Sequence, residues 1–380
     1  MVYKCDSCGA IFFEPYTYEV RENLDGENGI ETRTVEAYPY CGEEFLKKWG
    51  RQKMVRKIPI DGMSREEWLA ERRKSLGGSD MGAVLGLNKY RSPYAVWAEK
   101  TGLIGETPDN EAMRQGRDLE DYVAQRFYEK SGKPAQRLNY ILRNDDAPYL
   151  HANIDRRILK ESAGLECKTA SALSMKNYAG GEFPESYYAQ CVTYLAVTGW
   201  KRWYLAALVL NKAFFIYQVT TVSDDECPAW CESSVYVSPD EIAALKRCAV
   251  DFWHDYVEAD SPPPMDGDAS TTEALETIYK GGGGDVELFG RESLVEQYQS
   301  LMSRKKAIEK DAEAIKQQLM KDLGDNERGY CGRFTVNWKG QSRQTFDAKA
   351  FAKDHPEVDL SAYYKTTNFR KFTVKEDKER

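Results

Sequence analysis

The chain reads as an α/β protein: a central mixed sheet flanked by helices, followed by a separate helical and β-containing extension. Three observations carry this expectation. Helix-period and strand-period patterns alternate from Ser64 to Asp260 in the order helix, three strands, helix, further strands. A tract from Ser261-Pro-Pro-Pro264 to Gly281-Gly-Gly-Gly284 then interrupts both periods. Beyond it, apolar residues return with heptad spacing, which belongs to a coiled-coil seam rather than to a globular core. A length of 380 residues predicts two or three domains, and 42% hydrophobic residues support a sizeable core.

Taken in order, residues 1–60 form a first segment. It opens with Cys5-Asp-Ser-Cys8-Gly and closes with Tyr38-Pro-Tyr-Cys41-Gly, two turns that look like zinc knuckles. Tyr38 stands where a fourth thiolate would be. Cys5, Cys8 and Cys41 therefore either share a structural Zn²⁺ whose fourth ligand is absent, donated from elsewhere or a water, or the knuckle is held by packing of Tyr3, Phe12, Phe13 and Phe45. Residues 61–262 form the principal domain. Ser64-Arg-Glu-Glu67 is a capping box ahead of Trp68-Leu69 and starts a helix. Gly77-Gly78-Ser79-Asp80 breaks that helix and opens another, whose free N–H groups would suit a phosphate; an ordinary capped turn is the plainer alternative. The segment Gln115–Phe127 is amphipathic, with Leu119, Val123 and Phe127 on one stripe. Glu120 lies beside that stripe and needs a cation, either a metal or a neighbouring basic side chain. A strand is expected over Arg137–Leu142 and a helix over Glu185–Thr198, then strands at Arg202–Leu210 and Ala213–Val219, and a helix from Ser238 to Asp260.

Residues 263–286 read as a polar linker and 287–324 as a helical hairpin arm or short coiled coil. Leu294, Tyr298, Leu301, Ile308, Ile315 and Leu319 share its seam with Lys305 and Ala312. Residues 325–380 read as a small β module with strands at Arg333–Trp338 and Phe369–Val374.

The chemistry concentrates between His151 and Lys168. In a strand, alternate residues share a face, so Glu166 and Lys168 point together while Leu165 and Cys167 point into packing. Glu161-Ser-Ala-Gly164 reads as a turn, and the resulting hairpin brings Asp155 beside Glu166. Two carboxylates at that distance can hold Mg²⁺ or Mn²⁺. The Lys168 ammonium can orient water or offset charge on a phosphorane, as metal-dependent phosphodiester hydrolysis requires. An exposed ion pair on a strand is the competing reading.

Bulk properties exclude other classes. No apolar run is long enough to span a membrane, and Met1-Val-Tyr-Lys is no signal peptide, so a cytoplasmic protein is expected. Nine cysteines without regular pairing indicate reduced thiols. A net charge of −8 argues only weakly against nucleic acid, because carboxylates reserved for a metal contribute to it and a local basic groove outweighs the sum.

Six motifs in order resemble the YqaJ-type viral recombinases, phage exonucleases related to lambda exonuclease within the PD-(D/E)XK nuclease superfamily. They are Arg73-Lys-Ser-Leu-Gly-Gly-Ser-Asp80, Leu85–Trp97 with Lys100-Thr-Gly102, Gly116-Arg-Asp-Leu-Glu120, Ala152-Asn-Ile-Asp155, Gly164-Leu-Glu-Cys-Lys168 and Tyr188-Ala-Gln-Cys-Val-Thr-Tyr194. The resemblance covers residues 64–218. It implies a restriction-endonuclease-like core and a metal-dependent 5′-to-3′ exonuclease acting on duplex DNA ends. Asp155, Glu166 and the carbonyl of Cys167 would ligate Mg²⁺ or Mn²⁺, two ions in all, with Glu120 an outer or second-metal carboxylate. Lys168 would position or deprotonate the attacking water, and Gln190 would orient the nucleophile or the terminal nucleotide. Ser79 with Arg72 or Arg73 would take the 5′-phosphate, and Asn153 and Tyr194 would contact DNA. A RecT-like single-strand annealing protein is the implied partner, with a homo-oligomer, trimeric by analogy, and a phage or prophage origin. The alternatives are a RecB-like or single-strand-specific nuclease of the same superfamily, and a catalytically silent DNA-binding scaffold.

Overall fold

The computed structural model describes residues 55–105, 109–348, 350–360, 363–364 and 370–374, together with the backbone of short strands before residue 50. These strands are β1 (Val2–Lys4), β2 (Ile11–Phe12), β3 (Tyr16–Asn23), β4 (Ile30–Ala37) and β5 (Lys47–Trp49). β2, β1 and β5 make one small sheet, and β3 and β4 make a hairpin. The knuckle residues Cys5, Cys8, Tyr38 and Cys41 lie outside the described residues. The chain divides into two compact units, residues 1–278 and 279–380.

In the first unit, β6 (Val55–Pro59) leads to α1 (Arg65–Arg73), α2 (Gly78–Val84), α3 (Pro93–Lys100) and α4 (Glu111–Ser131). Ser64 and Glu67 form the expected reciprocal cap on α1, at 3.2 and 2.8 Å. Then come β7 (Ala135–Arg137), β8 (Tyr140–Asn144), β9 (Ala147–Asn153), β10 (Arg156–Ile158), β11 (Ala163–Ala170) and α5 (Glu185–Thr198). The unit is completed by β12 (Arg202–Val209), β13 (Ala213–Thr220), β14 (Ser233–Tyr236), α6 (Pro239–Phe252) and α7 (Ala269–Ile278).

The main sheet has the order β14-β13-β12-β11-β10-β7 and is mixed: β11–β12 and β13–β14 are parallel, the other pairs antiparallel. β6, β8 and β9 form a second, antiparallel sheet. Side chains of β12 alternate between two cores. Trp203, Leu205 and Ala207 join the larger core with α5, while Tyr204 and Ala206 join Val123 and Phe127 of α4. A central strand buried on both faces is apolar at nearly every position, as β12 is. α5 is buried throughout Ala189–Thr198 and packs on β12 and on β8 and β9. A helix apolar on all sides belongs inside a protein, and here it lies between the two sheets.

Close approaches depend on glycine. A Cβ on Gly164 would come within 2.4 Å of the Trp203 indole, and one on Gly78 within 2.8 Å of Gln190 and Tyr194. Glycine thus lets β11 and α2 crowd the face that carries α5.

Three expectations need correction. Arg137–Leu142 is not one strand. β7 and β8 belong to different sheets, and the chain changes sheet between them. Residues 263–286 are not all linker, because α7 docks on α3. Thr271 Oγ1 donates to Ser92 Oγ at 2.8 Å, the Ser92 amide donates to Ser270 Oγ at 2.8 Å, and Ala274 is buried. Proline and glycine at the ends of this tract masked the helix between them. In the second unit, β15 (Arg328–Cys331) pairs with β16 (Phe334–Asn337), whereas residues 370–374 form no strand. Alternation there had no ladder partner to satisfy it. That unit also contains α8 (Glu292–Leu323), one helix rather than a hairpin, and α9 (Ala348–Asp354).

Among the described residues no helix is long and apolar enough to cross a membrane, and six cysteines are free thiols. Gly164→Ala should destabilise the protein by about 1–3 kcal/mol, because the Trp203 ring has no room to move within a packed interior. A urea unfolding midpoint unchanged from wild type would contradict this packing.

Candidate active site

Asp155 sits where the chain leaves β9 of the small sheet and enters β10 of the main sheet. Arg156 pairs with Leu165, so the preceding residue, Asp155, stands opposite Glu166 one step beyond the ladder. Period two then sends Leu165 and Cys167 toward α4, and Glu166 and Lys168 toward α5. Asp155 Oδ2 accepts the Cys167 amide at 2.7 Å, which locks the two ends of the hairpin together. Glu166 is 4% exposed. Its Oε1 accepts from Lys168 Nζ at 2.7 Å and from Gln190 Nε2 at 2.6 Å.

The electrostatics follow from that burial. Asp155 is held well above the usual carboxylate range by loss of solvent, then by the charges of Glu166 and Glu120. Burial likewise raises Glu166, against the pull of Lys168. For Lys168, burial disfavours the charge, yet Glu166 outweighs it and raises the pKa, so the side chain stays an ammonium. As an ammonium it donates to Glu166. Its Nζ also lies 4.7 Å from the centre of the Tyr187 ring, a cation–π contact.

Gln190 donates to both Glu166 Oε1 and the Tyr194 hydroxyl, the latter at 2.8 Å. Tyr194 is buried with its ring against Trp203, so in this structure it supports Gln190 and is not on an open surface where DNA could reach it. Tyr187, Gln190 and Tyr194 recur at three- and four-residue steps and so share one face of α5. Glu120 has cationic partners within the protein: Arg156 and, at 3.4 Å, Arg137. Arg156 also binds Asp121 and the carbonyl of Asp155. No local pattern marks this clamp, because Glu120 and Arg156 are 36 residues apart. Asn153 ends β9 with its Oδ1 buried and, among the described residues, without a hydrogen-bond partner.

The Gly77–Asp80 turn is adjacent. Gly78 abuts Gln190 and Tyr194, so α2 and the carboxylates meet through α5. Ser79 is exposed, and Asp80 is a buried hub. Its carboxylate accepts the Gly77 amide at 2.8 Å, Lys100 Nζ at 2.7 Å and Arg91 Nη1 at 2.5 Å. Burial alone would raise its pKa, but Lys100, Arg91 and Arg72 together hold it well below the usual range. Arg72 and Arg73 line one small cleft with Leu69, Asp80, Glu99 and Lys100. They differ in setting. Arg73 is exposed, whereas the Arg72 guanidinium lies on the Trp68 ring at 4.5 Å and its Nε is buried without a partner among the described residues. His151, also buried, bonds Ser75 Oγ at 2.9 Å and is kept neutral by burial and by Lys100 and Arg72.

The donor set suits a hard divalent cation. Among the described residues Glu166 Oε2 is buried and has no hydrogen-bond partner, and burial, then the charges of Glu166 and Glu120, raises Asp155 beside it. Among the described residues no three Asp, Glu, His or Cys side chains converge into a ready-made cage, and Glu120 is occupied by arginines. Two carboxylates and backbone oxygen are what the protein itself offers.

A carboxyl whose folded pKa is raised adds stability only while protonated, and that contribution is lost as pH rises through the folded value. Asp155→Asn should therefore raise the melting temperature in chelator at pH 8, with the gain shrinking toward pH 4. A lower melting temperature at pH 8 would refute the charge repulsion. Asp80→Ala should cost about 3–5 kcal/mol by stranding Lys100 in the interior, measured by urea denaturation at pH 7.

A family model described as a YqaJ-like viral recombinase domain matches residues 67–201. The YqaJ protein of Bacillus subtilis (strain 168) is 33% identical over 321 residues, covering 83% of this chain and 95% of that protein. A protein of African swine fever virus (strain Badajoz 1971 Vero-adapted) is 43% identical over 51 residues, 13% of this chain and 15% of its own. The structure of an alkaline exonuclease from Laribacter hongkongensis aligns with 51% of this chain and 93% of its own, at 17% identity and a TM-score of 0.41. The family match spans β11 and α5, which carry Glu166, Lys168 and Gln190, and the B. subtilis protein matches most of both chains. The chain therefore belongs to the YqaJ-like viral recombinase family.

Proposed function

We propose that the protein is a metal-dependent 5′-to-3′ exonuclease of the PD-(D/E)XK type, acting on duplex DNA ends. It would leave 3′ single strands for a RecT-like annealing partner during phage or prophage recombination. The observation that carries this reading is Glu166. It is a buried carboxylate opposite Asp155, with one oxygen fixed by Lys168 and Gln190 and the other unpartnered. Such an arrangement is costly to bury and serves no packing purpose.

Asp155, Glu166 and the carbonyl of Cys167 would hold Mg²⁺ or Mn²⁺. When bound, such ions polarise the phosphoryl oxygen and favour ionisation of a water. Other contributions belong to the chain. Lys168, kept as an ammonium, would offset charge gathering on the phosphorane as water attacks phosphorus and the 3′-oxygen leaves. Gln190, braced by Tyr194, would hold Glu166 in one rotamer. Glu120 would act from further out, through Arg156. Ser79 and Arg72 would receive the 5′-phosphate. Arg72 is preferred over Arg73 because its Nε is desolvated and unpaired, so an anion relieves a cost already present.

The test uses linear duplex DNA with 5′-phosphate or 5′-hydroxyl ends, covalently closed circles, and Mg²⁺ or chelator. Expected are mononucleotides from linear ends only, faster with 5′-phosphate, and none in chelator. Lys168→Ala should lower the rate roughly 10²–10³-fold, and Asp155→Ala and Glu166→Ala should lower it further. Gln190→Ala and Glu120→Ala should cost less than Lys168→Ala. Cutting of circles would make the protein an endonuclease. Salt-sensitive binding with no cleavage would make it a scaffold.

A further inference from the structure

Arg156 brings a permanent positive charge into the group of carboxylates beside β11. Its main chain is held on both sides, opposite Leu165 of β11 and Arg137 of β7. Pairing with Leu165 puts its side chain on the face of the sheet that α4 covers. There the guanidinium is buried and meets three oxygens. It donates to Glu120 Oε1, to Asp121 Oδ1 and, at 2.6 Å, to the main-chain carbonyl of Asp155. One cation thus touches both the outer carboxylate and the main chain of a proposed metal ligand. Arg137 also reaches Glu120 and Asp121, at 3.4 and 3.1 Å, but it is exposed and contributes little. The charge of Glu120 is felt at both Asp155 and Glu166, so a cation bound to Glu120 bears on all three carboxylates. Arg156 is such a cation. Taken together, Glu120, Asp121, Asp155 and Glu166 face Arg137, Arg156 and Lys168. One divalent ion more than balances this group. A second would add to a net positive charge in a site largely withdrawn from solvent, where such repulsion is strong.

We propose that Arg156 is a positioning residue that limits the site to one firmly held divalent ion, its guanidinium neutralising Glu120 in place of a second. This rests on the reading of Asp155, Glu166 and the Cys167 carbonyl as the ligands of that ion. The pair of ions that the family resemblance implies would need Glu120 as a ligand, and here its Oε1 is taken by arginine. A guanidinium suits the task. It keeps its charge at any pH the fold survives, and its planar fork spans Glu120 and Asp121 at once while still reaching the Asp155 carbonyl. Release of Glu120 to an ion would strip a buried charge of a partner, which is costly and keeps the clamp closed.

The experiment is a titration of MnCl₂ into the full, DNA-free chain by isothermal calorimetry, with free Mn²⁺ read by electron paramagnetic resonance. Wild type should bind one ion per chain, and Glu166→Ala none. Glu120→Gln should still bind one with little change in affinity, because Glu120 is no ligand while Arg156 holds it. Arg156→Gln should bind two, the second ion tightened by about tenfold or more. Adding Glu120→Gln to that variant should return the count to one. Arg156→Lys keeps the charge and should stay at one ion, whereas simple damage to the fold would affect both Arg156 variants alike. Should neither Arg156 variant fold, the wild-type count and the Glu120→Gln titration still decide, since both retain the arginine. Two ions of similar affinity in wild type, an ion lost in Glu120→Gln, or a single ion in folded Arg156→Gln would each overturn the proposal while leaving the metal ligands in place. No ion in wild type would overturn both.

Discussion

The first unit is organised around a charge placed where solvent cannot reach it. Glu166 faces α5, and α5 is enclosed between two sheets, so its carboxylate must be met by protein groups. Lys168 and Gln190 meet one oxygen. Gln190 can do so only because Tyr194 holds its amide and Gly78 leaves space beside it. Tyr194 in turn leans on Trp203, which fits because Gly164 has no side chain. A line of contacts thus runs from α2 through α5 to β11 and β12, and each member is constrained by the next.

That line joins two electrostatic settings of opposite sign. On the β11 side, Asp155 and Glu166 carry negative charge that the protein leaves partly unbalanced, and burial pushes both carboxyls upward. On the α2 side, Arg72 and Lys100 crowd one buried carboxylate, Asp80, which they hold ionised. The substrate we propose, with a terminal phosphate and a scissile phosphodiester, would need anion recognition at one point and cation-mediated chemistry at another. The cost of maintaining both within one core falls on stability, and the dense packing around Trp203 and Tyr204 offsets it.

The second unit obeys different rules. Its long helix has almost no interior, and its hairpin and short α9 supply little apolar burial.

Much of β11 and its surroundings was legible from local rules. Period two put Glu166 and Lys168 on one face, a turn signal put Asp155 beside them, and a capping box marked the start of α1. The run of α5 was equally plain, since an apolar helix needs no partner to be recognised. Other features escaped because their partners are distant in sequence. Glu120 is clamped by Arg156, 36 residues away, and α7 is tied to Ser92 across 178 residues. Asp80 read as a turn residue and is instead a hub gripped by Arg91 and Lys100. Alternation alone could not tell the paired β16 from the unpaired stretch at 370–374. By itself the sequence determined which residues share a face and where helices begin, because backbone geometry sets those periods locally. Only the tertiary structure decided which charges are neutralised by protein and which are left uncompensated, because that depends on neighbours and on burial that no local pattern encodes.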